Sequence, residues 1–205
     1  MTTSTNGGSI VEALETLLWN RRSVRVYSEL PIGLHSMQRI LAAAQGITSD
    51  DGKRTAPSAH ALYPLELFVV VRRVQGLDPG FYRYSPEDCH LCVVGQAPMD
   101  GELLSTMLGD DTWLEDAAAV VVVAARLEEA IRHFAEQQPD GMRGARYVQF
   151  EAGACTQNMY LAAAAENLGS VVVMGFDDGC LKEVLTLPED TDPIALFCIG
   201  HPKVG

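Results

Sequence analysis

The chain has 205 residues, 47% of them hydrophobic, which is enough to bury one sizeable core, and one compact domain is the expectation. A formal net charge of −12 would repel a phosphate backbone, which argues against nucleic acid as a partner. No apolar run reaches the ~20 residues of a membrane-spanning helix, and AAAVVVVAA at 117–125, bounded by Asp116 and Arg126, reads instead as a buried strand.

The opening residues are small and polar, without the basic start and apolar stretch of a secretory signal. Residues 1–8 therefore read as a flexible tail ahead of a single domain over 9–205, and a cytoplasmic location follows. Ser9 followed by Glu12 is a capping box, and Ile10, Leu14, Leu17 and Leu18 recur at helical spacing, so a first helix is predicted to about Asn20. RRSVR at 21–25 stands at its end. A second amphipathic helix carries Leu34, Met37, Ile40, Leu41 and Ala44 and stops at Gly46. The polar loop TSDDGKRTAPSAHA follows.

LELFVVVRRV, from Leu65 to Val74, reads as a strand, and FYRYS and HLCVVG around PEDC read as a hairpin. Pro98 to Leu108 is predicted helical, Ala118 to Ala125 a strand, and Leu127 to Gln137 a short charged helix. Arg146 to Leu168 has no proline and an alanine-rich apolar face, so it predicts a long central helix ending at Gly169. A strand SVVVM, a helix opening near Asp177 or Asp178, and a strand IALFCIG complete an α+β order rather than a regular βαβ alternation. Neither GxGxxG nor GxxxxGK[ST] is present, and no internal repeat is found.

Arg21, Arg22, Ser23 and Arg25 offer the planar donor forks and hydroxyl that hold a phosphate, although cations at a helix end also simply complement its dipole. The five cysteines (89, 92, 155, 180, 198) are odd in number and sit mostly in apolar segments, so reduced thiols are expected. Cys89-His90-Leu91-Cys92 supplies too few ligands for a tetrahedral zinc site, and no metal is assigned. RTAPSAHALYPLELFVVV, residues 54–71, is a second candidate, because a Pro/Ser/Ala loop lets backbone and hydroxyls approach a flat ligand.

RRSVRVYS together with APSAHALYPLELFVVV resembles the FMN-dependent nitroreductase superfamily, with SagB-type dehydrogenases the closest branch. The likeness continues collinearly through GFYRYSPEDCHL, RYVQFEAGACTQNMYLAAAAENLG, VVVMGFDD and ALFCIGHP. It implies a mixed, mostly antiparallel sheet flanked by helices, and a homodimer with the long central helix at the interface and two flavin sites built from both chains. Arg21, Arg22 and Ser23 would then hold the FMN phosphate and ribityl chain, and Arg25 would stand near the pyrimidine edge of the ring, where positive charge stabilises reduced flavin. Pro57, Ser58, Ala59 and Tyr63 would line the cofactor from the other subunit, and Met174 and Gly175 would form the turn facing N5 and O4.

The sequence departs from the branch at three places. His60 stands where the loop usually has Gly, and is either a proton donor, a steric filter or a plain loop residue; Ala154 replaces a histidine; and beyond the final strand, where many nitroreductases carry a basic residue that clamps the phosphate, the chain reads HPKVG, with Lys203 as the candidate substitute. Arg146 and Tyr147 align near a region discussed as functional in azoline oxidases, and equally suit a salt bridge and a core aromatic. Gln157 and Asn158 would bond near the flavin or across the dimer. The resemblance implies a flavoprotein oxidoreductase, either NAD(P)H-dependent on nitro or quinone-like acceptors, or a SagB-type azoline dehydrogenase acting on modified peptides. A non-catalytic flavin-binding module is the third reading. Loops at 100–115 and 135–145 would shape the substrate pocket.

Overall fold

The computed structural model describes residues 9–203; the tail expected at 1–8 lies outside them, as do 204 and 205. Helix α1 (Ile10–Asn20) opens on the capping box: Ser9 Oγ accepts from the Glu12 N–H at 3.2 Å, and the Glu12 carboxylate accepts from the Ser9 N–H at 2.7 Å. None of its residues is buried, and Ile10, Val11, Leu14, Leu18 and Trp19 are exposed. After β1 (Ile32–Gly33), α2 (Leu34–Gln45) buries Met37, Ile40, Leu41 and Ala44, the positions its spacing picks out. Gly46 ends it for a reason of space: its φ of −63° is ordinary, but a Cβ would stand 2.6 Å from the Ala42 carbonyl oxygen.

A loop with a 3-10 turn at Ala59–Ala61 leads to β2 (Leu65–Val71), β3 (Val74–Gln75) and the hairpin of β4 (Gly80–Ser85) and β5 (His90–Gly95). Then come α3 (Glu102–Ser105), α4 (Trp113–Asp116), β6 (Ala119–Ala125), α5 (Leu127–His133) and the 23-residue α6 (Arg143–Ala165). Strand β7 (Gly169–Val173), α7 (Asp178–Val184) and β8 (Asp192–Gly200) follow.

Six strands form one sheet in the order β5-β4-β2-β6-β8-β7, with every neighbouring pair antiparallel. Among the described residues, parallel pairing enters only through β1 with β3 and through the bridge of Ser23 to Ser170 at the β7 edge. The central strands are covered on both faces. Val69, Val121 and Phe197 belong to the core beneath α2 and α6, and Val70, Val122 and Leu196 to the core on the opposite face. That double burial is why these strands read as unbroken apolar runs rather than alternating ones.

Four predicted boundaries move. Strand β2 stops at Val71 because the N–H groups of Arg72 and Arg73 both donate to the Ala118 carbonyl and bend the chain. Between Pro98 and Leu108 only the turn α3 is α-helical, since Gly101 takes φ 84° ahead of it and interrupts any longer helix. Helix α5 ends at His133 and gives way to a 3-10 turn at Ala135–Gln137. Helix α6 starts three residues early and ends in a Schellman motif: Asn167 takes the left-handed φ of 57°, its N–H bonds the Ala164 carbonyl, and the Leu168 N–H bonds that of Ala163. Asn167, not Gly169, supplies the left-handed turn. All five cysteines are free, and burial pushes the Cys155 and Cys198 thiols up to about 12.

Candidate functional site

The arginine segment lies extended along the edge of the sheet. The Val24 N–H donates to the Ser170 carbonyl at 2.9 Å, and Tyr27 bridges to Pro202. Two glycines make this possible. Gly169 and Gly200 are register partners on β7 and β8; a Cβ on the first would stand 2.7 Å from the Val24 side chain, and one on the second 2.8 Å from the Tyr27 ring. The sheet therefore offers a bare backbone patch on which Val24 and Tyr27 lie.

The Arg21 guanidinium sits 5.1 Å from the centre of the Tyr160 ring, and that of Arg25 sits 5.3 Å from Trp113 on α4. The Trp113 Nε1 is buried with no acceptor among the described residues. Arg22 Nη1 donates to the carbonyls of Trp19 at 2.7 Å and Arg21 at 2.8 Å, capping the C-terminal end of α1. The helix-end role considered for the cluster thus belongs to Arg22. Among the described residues, the ion pairs engage other basic side chains, and no carboxylate pairs with Arg21, Arg22 or Arg25. Beside them is a cleft of about 370 Å³ whose wall includes Arg21, Arg22, Tyr160, Asn167 and Ser170. Ser23 and Arg25 are not in that wall.

Strand β7 leads from this cleft to Met174 and Gly175. Ser170, Val172 and Met174 alternate onto one face, and Val172 N–H donates to the Tyr160 hydroxyl at 2.8 Å. Tyr160 also lines a smaller cavity of about 170 Å³, with Gly153, Gln157 and the exposed Met174. From Ser170 to Met174 is about 13 Å at the rise of a strand. The turn after Met174 is fixed by the Leu108 N–H on the Gly175 carbonyl at 2.7 Å and by the Asp177 N–H on that of Thr106 at 2.9 Å. Gln157 faces this cavity, whereas Asn158 turns to α2 and donates to the Ala43 carbonyl at 3.0 Å. Lys203 is exposed, and its backbone N–H bonds Val26 beside the arginine segment.

The second candidate segment is anchored elsewhere. Glu151, buried in α6, accepts from the Ala59 N–H at 2.8 Å, and Ser58 Oγ accepts from the Tyr63 N–H at 2.9 Å. Burial raises the Glu151 carboxyl above the usual range, with the Ala59 N–H and Ser58 hydroxyl opposing. Pro57 is exposed at the loop's start. His60, Ala61 and Tyr63 take left-handed φ values of 54°, 53° and 47°. His60 packs against Phe134, with Nδ1 3.1 Å from His133 Nε2. Arg146 pairs with Asp140, and the Tyr147 hydroxyl donates to Gln137 while its ring meets Phe134. Both are satisfied locally by the loop before α6.

Within one chain the two candidate sets do not meet. Glu151 and Tyr160 are nine residues apart on α6, which is two and a half turns, so they point in opposite directions. Four residues escaped the sequence reading: Tyr160, Trp113, Glu151 and His133. Only Glu151 left a signal, a carboxylate among the buried positions Val148, Ala152 and Cys155. No group of three or more His, Cys, Asp or Glu is placed to hold a metal ion among the described residues, and no helix there is long and apolar enough to cross a membrane.

Residues 18–201 match the family described as "Nitroreductase family". The chain is 38% identical over 188 residues to a nitroreductase-family protein of Methanocaldococcus jannaschii, covering 92% of this chain and 90% of that one. It is 29% identical to an NADH dehydrogenase of Thermus thermophilus, covering 92% and 86%. A crystal structure of a nitroreductase-family protein from Anabaena variabilis superposes with a TM-score of 0.80 at 31% identity, covering 96% of this chain and 39% of that longer one.

Proposed function

The chain belongs to the nitroreductase family of oxidoreductases, and from that premise we propose that it binds FMN, which when bound would pass hydride through its N5 from NAD(P)H to a nitro or quinone-like acceptor. The observation that carries this reading is the arginine segment. Three guanidiniums without a carboxylate partner among the described residues stand at one end of β7, in a chain with a formal net charge of −12. Such charge is stabilised by an anion. The cleft beside Arg21 fits a phosphate, and the run of about 13 Å to Met174 fits an elongated ligand.

Arg21 and Arg22, in the cleft wall, would hold the phosphate end, with Ser23 next to them outside that wall. Arg25, supported by Trp113, would place positive charge beside the ring, and Met174 and Gly175 would form its edge. Pro57, Ser58, Ala59 and Tyr63 sit behind α6 from that cleft, so they would serve the site of a second copy in a homodimer. The exposed apolar residues of α1, with Phe150 on α6, give such a copy a surface to cover. The SagB-type loop wording supports placing the chain near that branch; His60, docked on α5, would flank the ring.

Purified protein should be yellow and release FMN identified by mass, and anaerobic NADH or NADPH should bleach it. Colourless protein that does not take up added FMN overturns the proposal. Bound FMN that neither dinucleotide bleaches would replace the reductase with a dehydrogenase that takes hydride from its own substrate, such as a peptide azoline.

A further inference from the structure

A cleft larger than the one beside Arg21 lies elsewhere on the chain. It measures about 500 Å³, within the range of small-molecule sites, and lies between the end of α2 and the β4–β5 hairpin. Arg54, Arg83 and Arg126 line it with Glu66 and Glu87, and Leu67, Tyr84 and Val94 supply apolar wall. Its charged lining sums to one net positive charge in an acidic chain.

The three guanidiniums are unequally neutralised. Glu66 gives one oxygen to Arg83 at 2.9 Å and the other to Arg126 at 2.7 Å, and Arg126 also bonds Glu129 at 2.6 Å. Arg54 has no such partner among the described residues: its Nη1 donates to the neutral Gln45 Oε1 at 3.0 Å, and its charge lies 4.9 Å from the Tyr63 ring centre. The titration of the two half-buried cations follows suit. Burial lowers the Arg54 pKa against the pull of Glu87, whereas for Arg126 the same burial is outweighed by its bonds to Glu129 and Glu66, and its pKa rises. One partly desolvated cation therefore lines the cavity without a hydrogen-bonded carboxylate among the described residues.

We propose that this cleft is a second binding site, separate from the arginine cleft on β7, for a small oxyanion carrying an apolar body, with Arg54 as its anchoring cation and Arg83 as its second donor. A planar guanidinium fork matches a carboxylate or phosphate edge, and the apolar wall receives the rest of the ligand. The site is fastened to the strained loop, since the Arg54 N–H donates to the Tyr63 hydroxyl at 3.2 Å and Arg126 Nη2 to the Tyr63 carbonyl at 3.3 Å.

Calorimetric titration of the full chain, as purified, with benzoate and with phenyl phosphate tests this. One equivalent should bind saturably, and Arg54→Gln should weaken it about ten-fold or more, the worth of one charge-assisted hydrogen bond. Arg83 is half exposed, so Arg83→Gln leaves the core intact; it should weaken binding several-fold, and it decides alone if Arg54→Gln does not fold. Arg21→Gln should bind as the parent does. Preference for benzoate identifies a carboxylate ligand and preference for phenyl phosphate a phosphate. No saturation by either below about 10 mM, parent-like binding by both cleft variants, equal loss in Arg21→Gln, or a probe that perturbs bound-flavin absorbance would overturn the proposal.

Discussion

His60 Nδ1 and His133 Nε2 meet at 3.1 Å and tie the loop ahead of β2 to the end of α5. The loop needs the tie, because three non-glycine residues within four positions hold left-handed backbone, at a cost of about 1–2 kcal/mol each. His133→Ala should therefore cost about 1 kcal/mol and expose the 57–63 segment to limited proteolysis. His60→Gly removes the same bond but relieves the strain at its own φ, so its loss of stability should be smaller. Urea unfolding of both variants gives the comparison; equal losses would mean that the backbone at 60 is not held by the imidazole pair.

Glu151 fastens the same loop from the other side, and its titration has a defined sign. Burial raises its carboxyl above the ordinary value of 4.5, so the folded chain binds this proton more tightly than the unfolded one. The stability it contributes is complete below 4.5 and is lost as the pH rises through the raised value. Glu151→Gln keeps an acceptor for the Ala59 N–H and buries no charge. At pH 7 it should be as stable as the parent, or up to about 1 kcal/mol more stable, with a flatter stability profile above the ordinary glutamate range. Denaturant unfolding across a pH series reads this directly, and a steeper profile in the variant would refute it.

Gly169 and Val24 make a pair whose coupling is measurable. A Cβ at 169 would stand 2.7 Å from Val24, so Gly169→Ala should cost about 1–3 kcal/mol and lift the arginine segment from β7. Val24→Ala opens the space, and the double variant should recover most of the loss beyond the cost of Val24→Ala itself. Additive losses in the double-mutant cycle would show that the strain is relieved elsewhere.

What was legible in the sequence followed from local physics. The capping box at Ser9, the apolar spacing of α2 and the hairpin around PEDC were readable because neighbours in sequence decide them. The boundaries that moved were set at long range: Ala118 bends the chain after β2, and Asn167 rather than the more obvious Gly169 ends α6. Gly169 is needed instead by Val24, 145 positions away, a contact with no local signature. The arginines of the candidate site were visible as charge. Their supports, Tyr160 beneath Arg21 and Trp113 beneath Arg25, were not, since an aromatic in a helix is by default a core residue.

Those supports predict that the arginines are not equivalent. Arg21 lies over Tyr160 in the cleft wall with no carboxylate partner among the described residues, so its donors remain for an anion. Arg22 already spends Nη1 on two carbonyls at the end of α1. Arg21→Gln should weaken FMN binding by about 10- to 100-fold, the worth of one or more charge-assisted hydrogen bonds. Arg21→Lys should fall between, keeping the charge but losing the planar fork. Arg22→Gln should lose less FMN affinity but cost about 0.5–1 kcal/mol of stability through the uncapped helix end. Flavin fluorescence titration and urea unfolding on the same three variants separate the two roles. If Arg22→Gln lost more FMN affinity than Arg21→Gln, the anchoring role would pass to the residue that now caps α1.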